Sequence, residues 1–112
     1  MFLSVLGETA RIFDTTPQDI LSASKWYIHV RPRWALAYAL HLRGMSYKAI
    51  GRRLNKDHST IIHAVRELPG LMYEDEHLAG AVQRVVNYTL DKWPPRVVAS
   101  DPSATQGDPD HA

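Results

Sequence analysis

Two apolar stripes with six residues between them constrain this chain more than any other feature. Tyr47, Ile50 and Leu54 lie three and four residues apart, and Ile61, Val65 and Leu68 fall at i, i+4 and i+7, so each set lines one face of a helix. Ser46 is placed to cap the first helix and Asp57 the second, with Asn55-Lys56 as the turn, while Pro69-Gly70 predicts the stop. Helices joined this tightly pack against each other, which is the layout of a helix-turn-helix.

The rest of the chain is punctuated in the same way. Phe2, Val5, Leu6 and Phe13 predict an opening helix ending before Asp14-Thr15, and Thr16-Pro17-Gln18-Asp19 starts a short one reaching about Ser22. Residues 23 to 30 show no helical period and run into Arg31-Pro32-Arg33, so a loop is expected there. Trp34 to Leu42 is apolar nearly all round, which suits the middle of a bundle, and Gly44 marks its end. Acids at Glu74-Asp75-Glu76 precede a last helix, with Leu78, Val82, Val85, Val86 and Thr89 on one face up to about Asp91. No stretch of β-branched alternation is long enough for a sheet. The expected fold is all-α, a small helical bundle containing a helix-turn-helix over residues 1–92, followed by a disordered acidic tail rich in Pro, Ser and Asp over 93–112.

Charge is distributed very unevenly. The formal net charge is +1, yet residues 20 to 66 hold nine Lys or Arg against the single acid Asp57. Such a block points to a polyanion. The apolar start lacks a basic region and is cut by Gly7-Glu8, and no run approaches the roughly 20 residues that span a bilayer. A soluble, cytoplasmic protein without membrane contact is therefore expected. The absence of Cys excludes disulfides, thiolate metal sites and cysteine nucleophiles.

Off the apolar stripe of the second helix, Ser59, His63 and Arg66 share one ridge, flanked at the helix start by His58 and Thr60. Hydroxyls, imidazole and guanidinium are the groups that read base edges or hold phosphates. Asp57-His58-Ser59 has the residue types of a hydrolase triad, but consecutive helical residues point about 100° apart and cannot form one. His58 and His63 stand five apart with no His-Glu-x-x-His, so neither a zinc site nor any other cofactor is expected. Trp26, Tyr27 and Trp93 are expected to be buried against the bundle, the other reading being anchors for a partner.

The run Ile50-Gly51-Arg52-Arg53-Leu54-Asn55-Lys56-Asp57-His58-Ser59-Thr60-Ile61-Ile62-His63-Ala64 resembles the signature of the C-terminal DNA-binding domain of DnaA, the bacterial replication initiator. Upstream, Asp19-Ile20-Leu21-Ser22 and Arg31-Pro32-Arg33 are similar to that domain's Asp-Leu-Leu-Ser and Arg-Pro-Arg, so the likeness covers roughly residues 5 to 90. The resemblance implies that Lys56, Asp57, His58, Ser59 and Thr60 read the major groove of double-stranded DNA, that Arg33 holds a phosphate, and that Lys25 stands where the family inserts an Arg into the minor groove. Together with Arg31, Lys48, His63 and Arg66 these are the expected contact residues.

The chain also departs from the family. Its basic loop is Ala23-Ser24-Lys25-Trp26-Tyr27, poorer in Arg; the turn before Lys56 is one residue short; and Glu67 stands where the family often has Lys. No Gly-x-x-x-x-Gly-Lys-Ser/Thr occurs, so a DNA-reading module standing alone, without a nucleotide, is expected. Short proteins of this kind resemble regulators of prophage-like or gene-transfer-agent clusters. The resulting expectation is a non-enzymatic transcriptional activator working beside RNA polymerase or a partner regulatory protein. An adaptor or decoy for the replication or transcription machinery, or an origin-binding regulator, is the alternative.

Overall fold

Three residues that leave the right-handed helical region set the breaks in the first half of the chain. Asp14, Gly44 and Asn55 have φ of 56°, 102° and 55°. After each, an amide bonds back to the carbonyl five residues earlier: Thr15 to Ala10 at 2.9 Å, Met45 to Leu40 at 3.1 Å, and Lys56 to Gly51 at 2.8 Å. This pattern uses up carbonyls that a helix end leaves orphaned. At the starts, the side chains of Thr16, Ser46, Asp57 and Asp75 accept from the amides of Asp19, Ala49, Ser59 and Leu78.

The result, a computed structural model describing residues 1–95, has six helices: α1 (Phe2–Ile12), α2 (Pro17–Leu21), α3 (Tyr27–Leu42), α4 (Tyr47–Leu54), α5 (His58–Glu74) and α6 (Glu76–Lys92). Among the described residues there is no strand, so the all-α expectation holds. No helix among them is long and apolar enough to cross a membrane.

Two expected boundaries are corrected, both at prolines. Residues 27 to 30 are not loop but the first turn of α3, with Pro32 inside the helix. Only about one turn of α3 precedes Pro32, so the helical bond it cannot make is with the Ile28 carbonyl near the helix start. Likewise α5 does not stop at Pro69 but runs on to Glu74. Beyond the proline, Leu71 and Met72 pack on the cluster containing Leu68, Val82 and Val85. The partial burial of these two side chains works against the ~3 kcal/mol that an interior proline costs.

Helix α3 is the axis of the bundle. Leu36, Ala37 and Leu40 enter one core cluster with Leu6, Ile20, Ile50, Leu54 and Ile61, while Ala35 and Ala39 enter a second with Leu68, Val82 and Val85. Ile50, Leu54, Ile61 and Val65 thus press the helix-turn-helix onto α3, and the polar ridge of α5 is left in solvent. Trp93, expected in the tail, packs against the first cluster. It lies under the Arg43 guanidinium, 4.1 Å from its ring centroid, and the same group donates to the Trp93 carbonyl at 2.8 Å. The remainder of the expected tail, residues 96–112, lies outside the described residues.

Candidate nucleic-acid interface

The turn between α4 and α5 is tight because Gly51 lets it be. A β-carbon there would come within 2.5 Å of the Lys56 carbonyl oxygen. Asn55 follows in the left-handed region, where its short polar side chain is tolerated better than most. The chain then turns straight into Asp57, the cap of α5.

Asp57 and Ser59 are locked together. The carboxylate Oδ2 accepts from the Ser59 amide at 3.1 Å and also from the Ser59 hydroxyl in a short bond. These two bonds, the hydroxyl first, hold the Asp57 carboxyl below the usual carboxylate range, so it is ionised at neutral pH. With its proton turned inward, the Ser59 oxygen offers its lone pairs to an outside donor. His58, Ser59 and Thr60 are all exposed, and the His58 Nδ1 stands 3.8 Å from Asp57 Oδ1. Further along α5, His63 and Arg66 are exposed on the same side, with the His63 ring edge-on to Trp34 at 5.5 Å.

Beside this helix start is an open depression of about 820 Å³, lined by Lys48, Gly51, Arg52, Asn55, Lys56, Asp57 and His58. Lys48 and Arg52 are one turn apart on α4 and point cations at its rim. Arg52 and Asn55 lie within the basic stretch from Lys48 to Lys56 but outside the expected contact residues, although the i, i+4 spacing of Arg52 from Lys48 carries the signal. A groove edge of this sign, next to side chains able to read bases, can hold a phosphate backbone and place a helix against it.

The remaining expected contacts divide. Lys25 is exposed on the loop between α2 and α3, close enough to Lys56 for its charge to act there. Arg33, expected on a phosphate, is instead buried at 6 % exposure. Its Nε donates to the Ile20 carbonyl at 2.6 Å, Nη1 to Ser24 at 3.0 Å, and Nη2 to Ser22 at 2.9 Å and Asp19 at 3.3 Å. Four carbonyls occupy the guanidinium, and burial lowers its pKa. That role needed knowledge of which turn of α3 faces α2, which a charged tripeptide does not carry. Arg31 is also apart from the others: it pairs with Asp75 at 3.4 Å and lies over Tyr27 at 5.3 Å. Asp75 follows the far end of α5, roughly 25 Å from its start at 1.5 Å per residue. Lys56 turns its ammonium back to the Ser22 carbonyl at 2.9 Å. Burial, then the charges of Arg33 and Lys25, push its pKa below the usual lysine range.

The expected burial of the loop aromatics is corrected as well. Trp26 and Tyr27 are 71 % and 66 % exposed, because they stand at the outward N-terminal end of α3. Trp93 alone of the three is packed.

Comparison with known proteins agrees with this geometry. The family described as bacterial dnaA protein helix-turn-helix matches residues 4–68. The chain is 38 % identical over 76 residues to the chromosomal replication initiator protein DnaA of Rhodopseudomonas palustris (strain TIE-1), covering 66 % of this chain and 16 % of that protein. It is 39 % identical over 72 residues to the protein of the same name from Bartonella quintana (strain Toulouse), covering 62 % and 15 %. With that of Xanthobacter autotrophicus (strain ATCC BAA-1158 / Py2) it shares 33 % over 89 residues, covering 78 % and 18 %. The chain thus spans less than a fifth of the length of these curated relatives. The matched residues, more than half of the chain, show that it belongs to the bacterial DnaA helix-turn-helix family and carries its DNA-binding domain.

Proposed function

We propose that this chain is a sequence-specific, double-stranded-DNA-binding transcriptional regulator, acting as an activator, that docks α5 in the major groove. The reading is carried by the start of α5. Three consecutive exposed side chains able to read base edges, His58, Ser59 and Thr60, stand beside a depression lined by Lys48 and Arg52, while the opposite face of the helix is buried by Ile61, Val65 and Leu68. In that pose Asp57 and Ser59 accept from base amino groups, Thr60 offers a methyl to thymine, and Lys48 and Arg52 lie along a phosphate strand. His63 and Arg66 continue the contact one and two turns on.

What the chain shares with the initiators is the DNA-reading part, and such a part regulates by bringing a partner to its site. The exposed Trp26 and Tyr27 supply aromatic surface of the kind that anchors a partner such as RNA polymerase or a second regulatory protein. A nucleoid-associated location in the cytoplasm belongs to the same proposal. The relatives' name, chromosomal replication initiator protein, favours a second reading, an origin-binding regulator.

Genome-wide mapping of bound DNA separates the two, since the first expects occupancy at promoters and the second at an origin. In vitro, changing His58 and Ser59 together to Ala is expected to erase preference among duplexes while leaving weak, salt-sensitive binding. Full discrimination by the double variant would rule out α5 as the reader.

A further inference from the structure

We propose that Lys56 and Arg33 are positioning residues that lock the 22–26 loop to the α4–α5 turn, so that loop and recognition helix meet DNA as one rigid unit. The consequence for binding rests on the DNA reading above, whereas the lock itself is a property of the free protein.

Both cations converge on a single atom. The Ser22 carbonyl oxygen accepts from Arg33 Nη2 at 2.9 Å and from Lys56 Nζ at 2.9 Å. Arg33 comes from α3, Lys56 from the turn after α4, and Ser22 caps the end of α2, so three segments far apart in sequence meet there. Inside the loop, Ser22 Oγ accepts from the Ser24 amide at 3.2 Å, and Ser24 Oγ accepts from the Trp26 amide at 3.2 Å. His29 Nδ1 lies 2.8 Å from that same Ser24 hydroxyl. The loop's polar groups are thus tied to one another, and the pair of cations ties the whole to the helix-turn-helix.

The placement of Lys56 is unlike that of a surface lysine, which keeps its ammonium in water. Here the ammonium turns inward toward a carbonyl, into the neighbourhood of two other cations, Arg33 and Lys25. Repulsion among three like charges opposes that arrangement, and the carbonyl oxygen that Arg33 and Lys56 share holds it together. A loop fixed in this way carries exposed Lys25 and Trp26 at a set distance from His58 and Ser59, and less ordering remains to be done on binding.

The other possible role for Lys56, direct phosphate contact, makes different predictions, and two measurements on the full chain separate them. The first is amide hydrogen exchange without DNA. Lys56→Met is expected to speed exchange at Ser24 and Trp26 about tenfold while leaving the amides of α3 and α6 unchanged, and Arg52→Gln to change neither. The second is duplex affinity against salt. Lys56→Met is expected to weaken specific binding about tenfold and keep the wild-type slope of log K on log salt, whereas Arg52→Gln lowers that slope by about 0.9, one phosphate contact. Unchanged exchange at Ser24 and Trp26 in Lys56→Met overturns the lock, and a slope lowered by about 0.9 in that variant assigns Lys56 to a phosphate instead. If exchange rises as expected but even the unmodified chain binds no duplex, the lock stands and the DNA reading falls.

Discussion

The α-carbon of Gly51 faces the carbonyl oxygen of Lys56 so closely that a β-carbon on Gly51 would lie 2.5 Å from it. The neighbour is backbone, held in turn by the Lys56 amide bonded to the Gly51 carbonyl at 2.8 Å, so it has little freedom to move aside. Gly51→Ala would ordinarily gain about 1 kcal/mol of helix propensity. Here the overlap forces the turn open, and a net loss of about 1–3 kcal/mol is expected in urea unfolding. Because His58 and Ser59 are aimed by that turn, discrimination between duplexes should fall further than stability alone explains.

Arg33→Gln should behave as a core substitution, not as a lost phosphate contact. Four carbonyls lose a charged donor, and that of Ile20, a residue with no exposed surface, has no water to replace it. The expected cost is about 3 kcal/mol in chemical unfolding. The planar fork that reaches several carbonyls at once is not reproduced by an ammonium, so Arg33→Lys should recover only a small part. The slope of affinity against salt should stay at the wild-type value, where a phosphate ligand would lower it by about 0.9.

The Asp57 carboxyl gives the fold an acid dependence. Its pKa is lowered in the folded state by the Ser59 hydroxyl and then the Ser59 amide. The unfolded chain therefore binds the proton more readily, and the cap's stabilisation, present above the ordinary Asp range, is lost as pH falls through the lower folded value. Asp57→Asn keeps a neutral cap without the titration. The stability difference between wild type and variant should shrink as urea titrations move from about pH 7 to about pH 3. A constant difference would show that the carboxylate does not act as the charged cap.

The helix-turn-helix was legible because its signals are local. Ser46 and Asp57 are cap residues one position before a helix, and the stripes of Ile50-Leu54 and Ile61-Val65-Leu68 fall within two or three turns. The same locality located His58, Ser59, Thr60, His63 and Arg66 in solvent. What escaped depends on segments meeting across the fold. Arg33 reads as a surface cation until α2 is laid over it, and the inward turn of Lys56 exists only because Ser22 lies 34 residues away in sequence and 2.9 Å away in space. The prolines escape for a related reason: their local cost is visible in the chain, but the packing of Leu71 and Met72 on the second core cluster that works against it is not.

Pro69 offers a direct measure of that contest. It sits inside α5 with its ring exposed, and the Val65 carbonyl, four residues back, lacks the helical donor that any other residue at 69 would supply. Pro69→Ala restores the amide and relieves the clash of the ring with that carbonyl, while the unfolded chain regains ~0.4–1 kcal/mol of conformational freedom. The gain in the folded state outweighs that freedom, so a net rise of about 1–2 kcal/mol in urea unfolding is expected. The start of α5 lies on the other side of Leu68 from this substitution, so duplex preference should be unchanged. A loss of stability would instead mean that α5 draws on the proline to set the bend that seats Leu71 and Met72 against α6.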